Sequence, residues 1–444
     1  MKTIGRRSIV LYFALILLVG GMLLLGFRLV KNGEDWVIQS YNGHLYASSS
    51  AVEIGTITDT NGVVLATSVD GTRTYSSSLA IRKSVLHTVG DIKGYIATSI
   101  ESTQMSSLVG YNIFTGLNST PLSDFGSSDI TLTIDANLCT VAYEALNGLN
   151  GAVLLYNYET GEILCKVSAP SFDPLDIPSD INTNSDYSGA YIDNTISSSY
   201  TPGSIFKIVT ATSAIENIEN WETLTYCCEQ TLYVDGATVT CTGNHGDQTM
   251  SEALGNSCNI YFACLAMELG ADTLQETAEE LGFNQNFSLD EFTTAKSSID
   301  LENAESIDLA WAGVGQYTLT TNPMNMLLLM SAIANGGQAV EPSLIENSDS
   351  IDTISFMSSS TATELDSLLR NVVTNYYGDS SFSGFDVCGK TGTAEVGGDK
   401  DPNSWFVGYT QDAPYAFVVI VEEGGSGKTS AMTVAKEILS YLAD

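Results

Sequence analysis

Between residues 8 and 27 the chain carries no charge, and all but its first residue read IVLYFALILLVGGMLLLGF. A helix of that length rises about 30 Å, the thickness of the hydrocarbon core of a bilayer. No soluble surface accommodates such a run, so the chain is expected to be a tethered globular protein. Lys2, Arg6 and Arg7 precede the run. They keep a tail (1–7) in the cytoplasm, place a transmembrane anchor at 8–29 and send the remainder outside the cytoplasm. Arg28 and Lys31 weaken that bias, but Glu34 and Asp35 follow at once. A cleaved signal peptide is the competing reading. The run is long for one, and no small-x-small cleavage site follows closely, so a retained anchor is expected.

Charge divides the rest. Residues 1–127 hold nine Lys/Arg against eight Asp/Glu, whereas 128–444 hold eight against forty-four. A field so negative repels nucleic-acid phosphate, which removes DNA and RNA as partners. With 44% hydrophobic and 16% charged residues the chain is globular rather than disordered. The division sets a small N-terminal segment, 30–127, apart from a large domain, 128–444. Any cation kept in that domain needs a reason.

Eight cysteines occur, without a C-x-x-C pair or a Cys/His ladder. No structural zinc site, no other metal site and no cofactor are therefore expected. Cys227 or Cys228 could pair with Cys241 across the hairpin-like YVDGATVT, or all eight thiols could be free. His44, His87 and His245 are too far apart in sequence to indicate a metal site, and His245 reads as a packed loop residue.

The N-terminal segment shows short β-like runs, GTITDT and VVLATSV, around Thr60-Asn61-Gly62. From 129 the pattern strengthens. DITLTI reads as a strand over 129–134, and Asp135 caps a helix to about 147. GAVLLYNYETGEILCKVSA is a hairpin turning at Glu159-Thr160-Gly161-Glu162. A Ser/Asn/Asp-rich loop, 178–203, leads into a helix near Ser204. Residues 250–340 are largely helical, GNSCNIYFACLAMELG most clearly. VCGKTGTAEV, SWFVGYT and YAFVVIVEE return to strands, and a helix over 430–442 closes the chain. Strands at both ends with helices between predict an α+β fold: one antiparallel sheet, its first strands paired with its last, flanked by helices.

Three short motifs carry chemistry. Ser204-Ile205-Phe206-Lys207 places a hydroxyl and an amine at i and i+3, on one helix face. A hydroxyl becomes a nucleophile only when something accepts its proton, so Lys207 must be held neutral or share a proton; burial and a helix start both disfavour its charge. Ser257-Cys258-Asn259 offers a hydroxyl and an amide two positions apart, able to relay a proton and hold a substrate amide. In Lys390-Thr391-Gly392-Thr393, Gly392 lets a ligand backbone lie against the strand, while Lys390, Thr391 and Thr393 can meet a carboxylate. Each motif alone is common. Their order, with roughly fifty residues to the second and roughly 130 more to the third, is the arrangement of serine β-lactamases and penicillin-binding proteins. Only eight Lys/Arg occur in 128–444, yet two are Lys207 and Lys390.

Longer stretches carry a resemblance to the class B penicillin-binding proteins: LTID (132–135), GAVLLYNYETGEIL (151–164), YTPGSIFK (200–207), HGDQTMSEALGNSCN (245–259), GVGQYTLTTNP (313–323), IANGG (333–337), GKTGTAE (389–395) and SWFVGYT (404–410). GTITDTNGVVLA (55–66) resembles the family's entry motif, with Ile54 and Thr60 where arginines are usual. The resemblance implies a penicillin-binding transpeptidase domain at 128–444 on a mixed pedestal at 30–127. No glycosyltransferase domain precedes it, unlike the bifunctional class A. It further implies D,D-transpeptidation of peptidoglycan: Ser204 attacks the D-Ala-D-Ala carbonyl of a stem peptide, releases D-Ala and passes the acyl group to an amine. Lys207 is then the general base, and Ser257, Asn259 and Lys390 relay the proton to the leaving group. Backbone N–H groups of Ser204 and Thr393 form the oxyanion hole, and Thr391 and Thr393 hold the terminal carboxylate. β-Lactams should acylate Ser204, and a membrane cell-wall polymerase is the expected companion.

GGSGKTS (424–430) sits between a strand and a helix as a phosphate loop would, but Glu422 stands where that motif needs glycine, so a turn is expected. Trp405, Tyr409 and Tyr317 could border a groove or pack in the core. A carboxypeptidase, a β-lactamase and a non-catalytic β-lactam sensor or scaffold are the alternatives. A lactamase needs a water-activating base that the sequence does not display, a sensor of the known type needs more spans, and a scaffold would not need all three motifs.

Overall fold

The computed structural model describes residues 2–37, 54–91, 93–110, 129–290, 292–346, 352–382 and 384–443. His44 and the expected junction at 127/128 lie outside the described residues. The first helix, α1 (Lys2–Val37), contains an apolar stretch, Ser8–Gly33, of 26 residues and mean hydropathy 2.7, with its apolar window exposed. By length and composition it can cross a membrane with some tilt.

Four short strands follow: β1 (Ile57–Thr58), β2 (Val64–Val69), β3 (Thr72–Tyr75) and β4 (Ile130–Thr131). They form one sheet in the order β3-β2-β1-β4, with β4 parallel to β1. The expected strand over 129–134 is thus only two residues long, and Leu132 instead bridges Ile345. Asp59 shapes the 60–62 turn by accepting from the N–H groups of Asn61 and Val63. Its other oxygen accepts from Ala136 N–H, which joins the turn to the large domain. No arginine stands at 54 or 60, but Arg73 arrives from β3. It donates to the carbonyl of Gly55 at 2.7 Å and to buried Glu101 at 2.6 Å, where Tyr75 also donates. A buried ion pair without such extra hydrogen bonds would not repay its desolvation.

In the large domain α2 (Ala136–Ala145) starts at Asp135, whose carboxylate accepts from the N–H groups of Asn137 and Leu138. The hairpin β5 (Gly151–Asn157) and β6 (Ile163–Ala169) forms as expected. The helices α3 (Lys207–Asn217), α4 (Met250–Asn256), α5 (Asn259–Leu269) and α6 (Pro323–Ala334) come next. Then come β7 (Val387–Ala394), β8 (Asn403–Thr410), β9 (Tyr415–Val421) and α7 (Ala431–Ala443). The strands make a five-stranded antiparallel sheet, β7-β8-β9-β5-β6, so the last strand pairs with the first, Val421 against Gly151. Burial along β8 is unbroken, which requires cover on both faces. The apolar α6 packs on β8, β9 and β5, while α2 packs on β6 and α7 on β8 and β9. Trp405 and Tyr409 belong to this core, while Tyr317 is 42% exposed.

Two expected helices begin differently. Residues Gly203–Phe206 form a 3₁₀ turn, and the α-helix starts at Lys207. The stretch GNSCNIYFACLAMELG is not one helix but α4 and α5, broken at Ser257–Cys258, because Ser257 is left-handed with φ 53°.

Candidate active site

The three motifs converge at a cleft of about 750 Å³ lined by Ser204, Ser257, Asn259, Thr391 and Thr393, with Tyr317 at its border. The first two motifs are positioned by breaks in regular structure and the third by an edge strand. Gly203, at φ +55°, turns the chain so that Ser204 faces the cleft. Nothing larger than glycine fits there, since a Cβ would lie 2.5 Å from the Thr393 carbonyl oxygen. Lys207 follows as the first residue of α3 and is fully buried. The left-handed turn at Ser257 aims its hydroxyl back at this lysine, and Asn259 opens α5 beside it. Lys390, also fully buried, comes from β7, an edge of the sheet.

The Lys207 amine lies 2.7 Å from the Ser257 carbonyl oxygen and 2.8 Å from Asn259 Oδ1. It is 3.1 Å from Ser204 Oγ and 3.3 Å from Ser257 Oγ. The Lys390 amine donates to Ser257 Oγ at 3.0 Å and to the Thr391 carbonyl at 2.9 Å. Ser257 Oγ therefore bridges the two lysines. Asn259 is fixed from behind by donating to the Thr240 carbonyl at 2.9 Å. Among the described residues neither lysine pairs with a carboxylate, although three other cations of the domain do so, at Lys166–Asp193, Arg370–Asp379 and Lys400–Glu423.

Burial without a counter-charge has the expected electrostatic result. Desolvation, then the neighbouring Lys390, holds Lys207 well below the usual lysine range. Desolvation, then Lys428, brings Lys390 down to about 7. The site thus holds two amines whose charge burial disfavours, on either side of one hydroxyl.

Tyr377 and Lys428 are among the cleft residues that were not expected. Tyr377 is partly buried against Thr391, sharing a 2.9 Å hydrogen bond with Oγ1 and accepting from the Thr391 N–H at 3.1 Å. No sequence pattern marks it. Lys428 stands 4.8 Å over the Tyr377 ring and lines the cleft. It belongs to GGSGKTS, which is a turn as expected. Gly427 there approaches β7 so closely that a Cβ would lie 2.5 Å from the Gly392 carbonyl, and its N–H donates to Thr393 Oγ1. The scarcity of cations that singled out Lys207 and Lys390 applies equally to Lys428.

None of the eight cysteines is in a disulfide, and Cys227 is exposed whereas Cys241 is buried. The structure instead gathers Cys228, Cys241, His245 and Cys258 behind the second motif, four residues whose spacing had spoken against a metal site. His87 is buried elsewhere, its Nε2 against the Ala190 carbonyl.

The fold and the cleft together define a serine-centred penicillin-binding transpeptidase domain. The chain belongs to that family: residues 151–440 match the penicillin binding protein transpeptidase domain. It is 29% identical over 335 residues to penicillin-binding protein 3 of Bacillus subtilis, covering 67% of this chain and 49% of that one. With the peptidoglycan D,D-transpeptidase PbpA of Mycolicibacterium smegmatis it shares 29% over 385 residues, 75% of this chain and 76% of the other. The D,D-transpeptidase domain of a peptidoglycan glycosyltransferase from Eggerthella lenta superposes with a TM-score of 0.75 at 28% identity, over 88% of this chain and 99% of that one. This chain therefore spans about half the length of the Bacillus relative.

Proposed function

We propose that this chain is a membrane-anchored D,D-transpeptidase that cross-links peptidoglycan stem peptides through an acyl-enzyme on Ser204. The observation that carries the reading is the fully buried Lys207, 3.1 Å from Ser204 Oγ and without a carboxylate partner among the described residues. A neutral amine has two N–H donors and one lone pair. The Ser257 carbonyl and Asn259 Oδ1 take the donors, which leaves the lone pair for the Ser204 O–H.

In the first half-reaction Lys207 takes that proton while Ser204 Oγ bonds to the penultimate D-Ala carbonyl carbon. The oxyanion is held by the N–H groups of Ser204 and Thr393. Support for Thr393 comes from β7: its carbonyl points at Gly203, and in a strand the N–H and C=O of one residue face the same side. As the C–N bond breaks, a proton passes from Lys390 through Ser257 Oγ to the departing D-Ala amine. The terminal carboxylate rests against Thr391, Thr393 and the positive charge of Lys390 and Lys428, with Gly392 leaving room for the peptide backbone. An acceptor amine then attacks the ester carbon and gives up its proton along the same path, while Lys207 returns its proton to Ser204 Oγ as the ester C–O bond breaks. β-Lactams enter at the first step and stay attached.

The division into tail 1–7, anchor 8–29, pedestal 30–127 and transpeptidase domain 128–444 follows from the same reading. So do a catalytic domain outside the cytoplasm and a membrane cell-wall polymerase as companion. A mimic of a stem peptide ending in D-Ala-D-Ala, given with a labelled D-amino acid, separates the transferase from a hydrolase. Exchange of the terminal D-Ala for the label is expected; release of D-Ala by hydrolysis alone would point to a carboxypeptidase.

The lysines set a pH dependence. Acylation needs Lys207 neutral, so the rate rises as that group loses its proton. It also needs Lys390 charged, so the rate falls as pH rises through about 7, where Lys390 loses its own. Arginine keeps its charge throughout, and Lys390→Arg is expected to lose the alkaline limb of the β-lactam acylation profile. A variant whose limb stays near pH 7 would contradict this role for Lys390.

A further inference from the structure

Behind the second motif, four ligand-type side chains from four segments meet: Cys228 at the end of the strand Tyr226–Cys228, Cys241 just after Ala237–Thr240, His245 before Gly246–Gln248, and Cys258, the cap of α5. In sequence they read C-x12-C-x3-H-x12-C, a spacing in which no two cysteines are neighbours. In space their ligand atoms all lie within 4.8 Å of one another, and the three cysteines are buried.

Two edges of this cluster have the dimensions of a metal tetrahedron. Cys241 Sγ is 3.9 Å from Cys258 Sγ and 3.6 Å from His245 Nδ1. Around zinc, with Zn–S near 2.3 Å and Zn–N near 2.0 Å, a regular tetrahedron has S···S edges of about 3.8 Å and S···N edges of about 3.5 Å. A disulfide would bring two sulfurs to about 2.0 Å, and none is formed. The surroundings suit thiolates. The Asn259 N–H points at Cys241 Sγ (3.3 Å) and the Tyr261 N–H at Cys258 Sγ (3.4 Å). Gln248, 2% exposed, also turns its side-chain N–H toward Cys258. A metal-bound thiolate is a stronger acceptor for that donor than a neutral thiol.

We propose that Cys228, Cys241, His245 and Cys258 bind one zinc ion that positions the second motif of the cleft. Three thiolates and an imidazole select a soft, tetrahedral cation over magnesium or calcium. With four protein ligands the shell is closed, so the ion braces and does not catalyse. Its target is plain in the chain order. Cys258 separates Ser257 from Asn259, and Cys241 adjoins Thr240, whose carbonyl fixes the Asn259 amide. Clamping both cysteines holds Ser257 in its left-handed conformation and Asn259 against Lys207. These four are positioning residues, and metal binding stands whether or not Ser204 is acylated.

The test uses the full chain in detergent, purified under reducing conditions with zinc and then freed of loose metal. Mass-spectrometric metal analysis is expected to find about one zinc per chain. Cys228→Ser and His245→Ala should fall below about a tenth of that, while Cys227→Ser, one residue away and exposed, should keep it. Should a variant fail to fold, cobalt added to metal-free wild type is expected to give the visible bands and thiolate charge-transfer absorption of a tetrahedral site. The proposal is overturned if folded wild type holds less than about a tenth of an equivalent and cobalt gives no such bands. It is also overturned if Cys227→Ser loses the metal as fully as Cys228→Ser, or if peptide mapping of acylating enzyme finds a Cys228–Cys241 disulfide. Metal content is read without β-lactam, so its failure is distinct from failure of the Ser204 assignment.

Discussion

Lys207→Ala is expected to slow β-lactam acylation of Ser204 by about a thousandfold while the protein stays folded. General-base assistance is worth about 10²–10⁴ in rate, and no other neutral amine or carboxylate among the described residues bonds to Ser204 Oγ. Lys390 bonds Ser257 Oγ instead, and its charge opposes proton uptake. Two opposing terms govern stability. The Ser257 carbonyl and Asn259 Oδ1 lose their donor, at a cost of about 1–3 kcal/mol, but a fully buried amine also disappears. The melting temperature should therefore change by only a few degrees. Lys207→Arg should be as slow as alanine, because a guanidinium cannot take the proton. The check is the rate of labelling by a fluorescent penicillin beside a thermal melt. A folded Lys207→Ala enzyme within tenfold of wild type would remove Lys207 as the base.

Gly315→Ala should also abolish most labelling, although this glycine carries no chemistry. Gly315 has φ +82°, and a Cβ there would lie 1.9 Å from the Gly203 carbonyl oxygen and 2.8 Å from Phe206 Cβ. Gly203 in turn donates its N–H to the Gly315 carbonyl at 2.9 Å. One added methyl must therefore push away the turn that carries Ser204. Displacement of a reacting group by about 1 Å costs about 10²-fold in rate, and the strained backbone costs about 1–2 kcal/mol more. Slower labelling by at least tenfold with a lowered melting temperature is the expected pair of results. Unchanged labelling would mean that the 203–206 turn has more room than the geometry gives it.

The sheet was legible because four of its five strands are largely apolar runs bounded by turn residues, and because strands at the two ends of the domain have one another to pair with. The long apolar helix was legible from the length and composition of its run. The three motifs became readable through order and through the scarcity of lysine in an acidic domain. What stayed hidden depended on contacts between distant segments. Tyr377 gains its place through Thr391 and Phe406 on the sheet, and Lys428 because Gly427 packs on β7. The break between α4 and α5 was missed because helical periodicity continues across it, whereas the left-handed Ser257 is imposed by tertiary packing. The cysteine–histidine cluster was invisible for the same reason: its four residues are spread over 31 positions of sequence and meet only when two hairpins fold onto the start of α5.

The central claim is that Ser204 Oγ becomes covalently acylated, and the most direct test is to find the adduct. The full chain in detergent is treated with benzylpenicillin, weighed intact and then digested for peptide mapping. Wild type should gain the mass of one intact penicillin, borne by the peptide containing Ser204, and Ser204→Ala should gain none. The opposite finding, folded wild-type protein with no adduct or an adduct that persists in Ser204→Ala, would contradict the account.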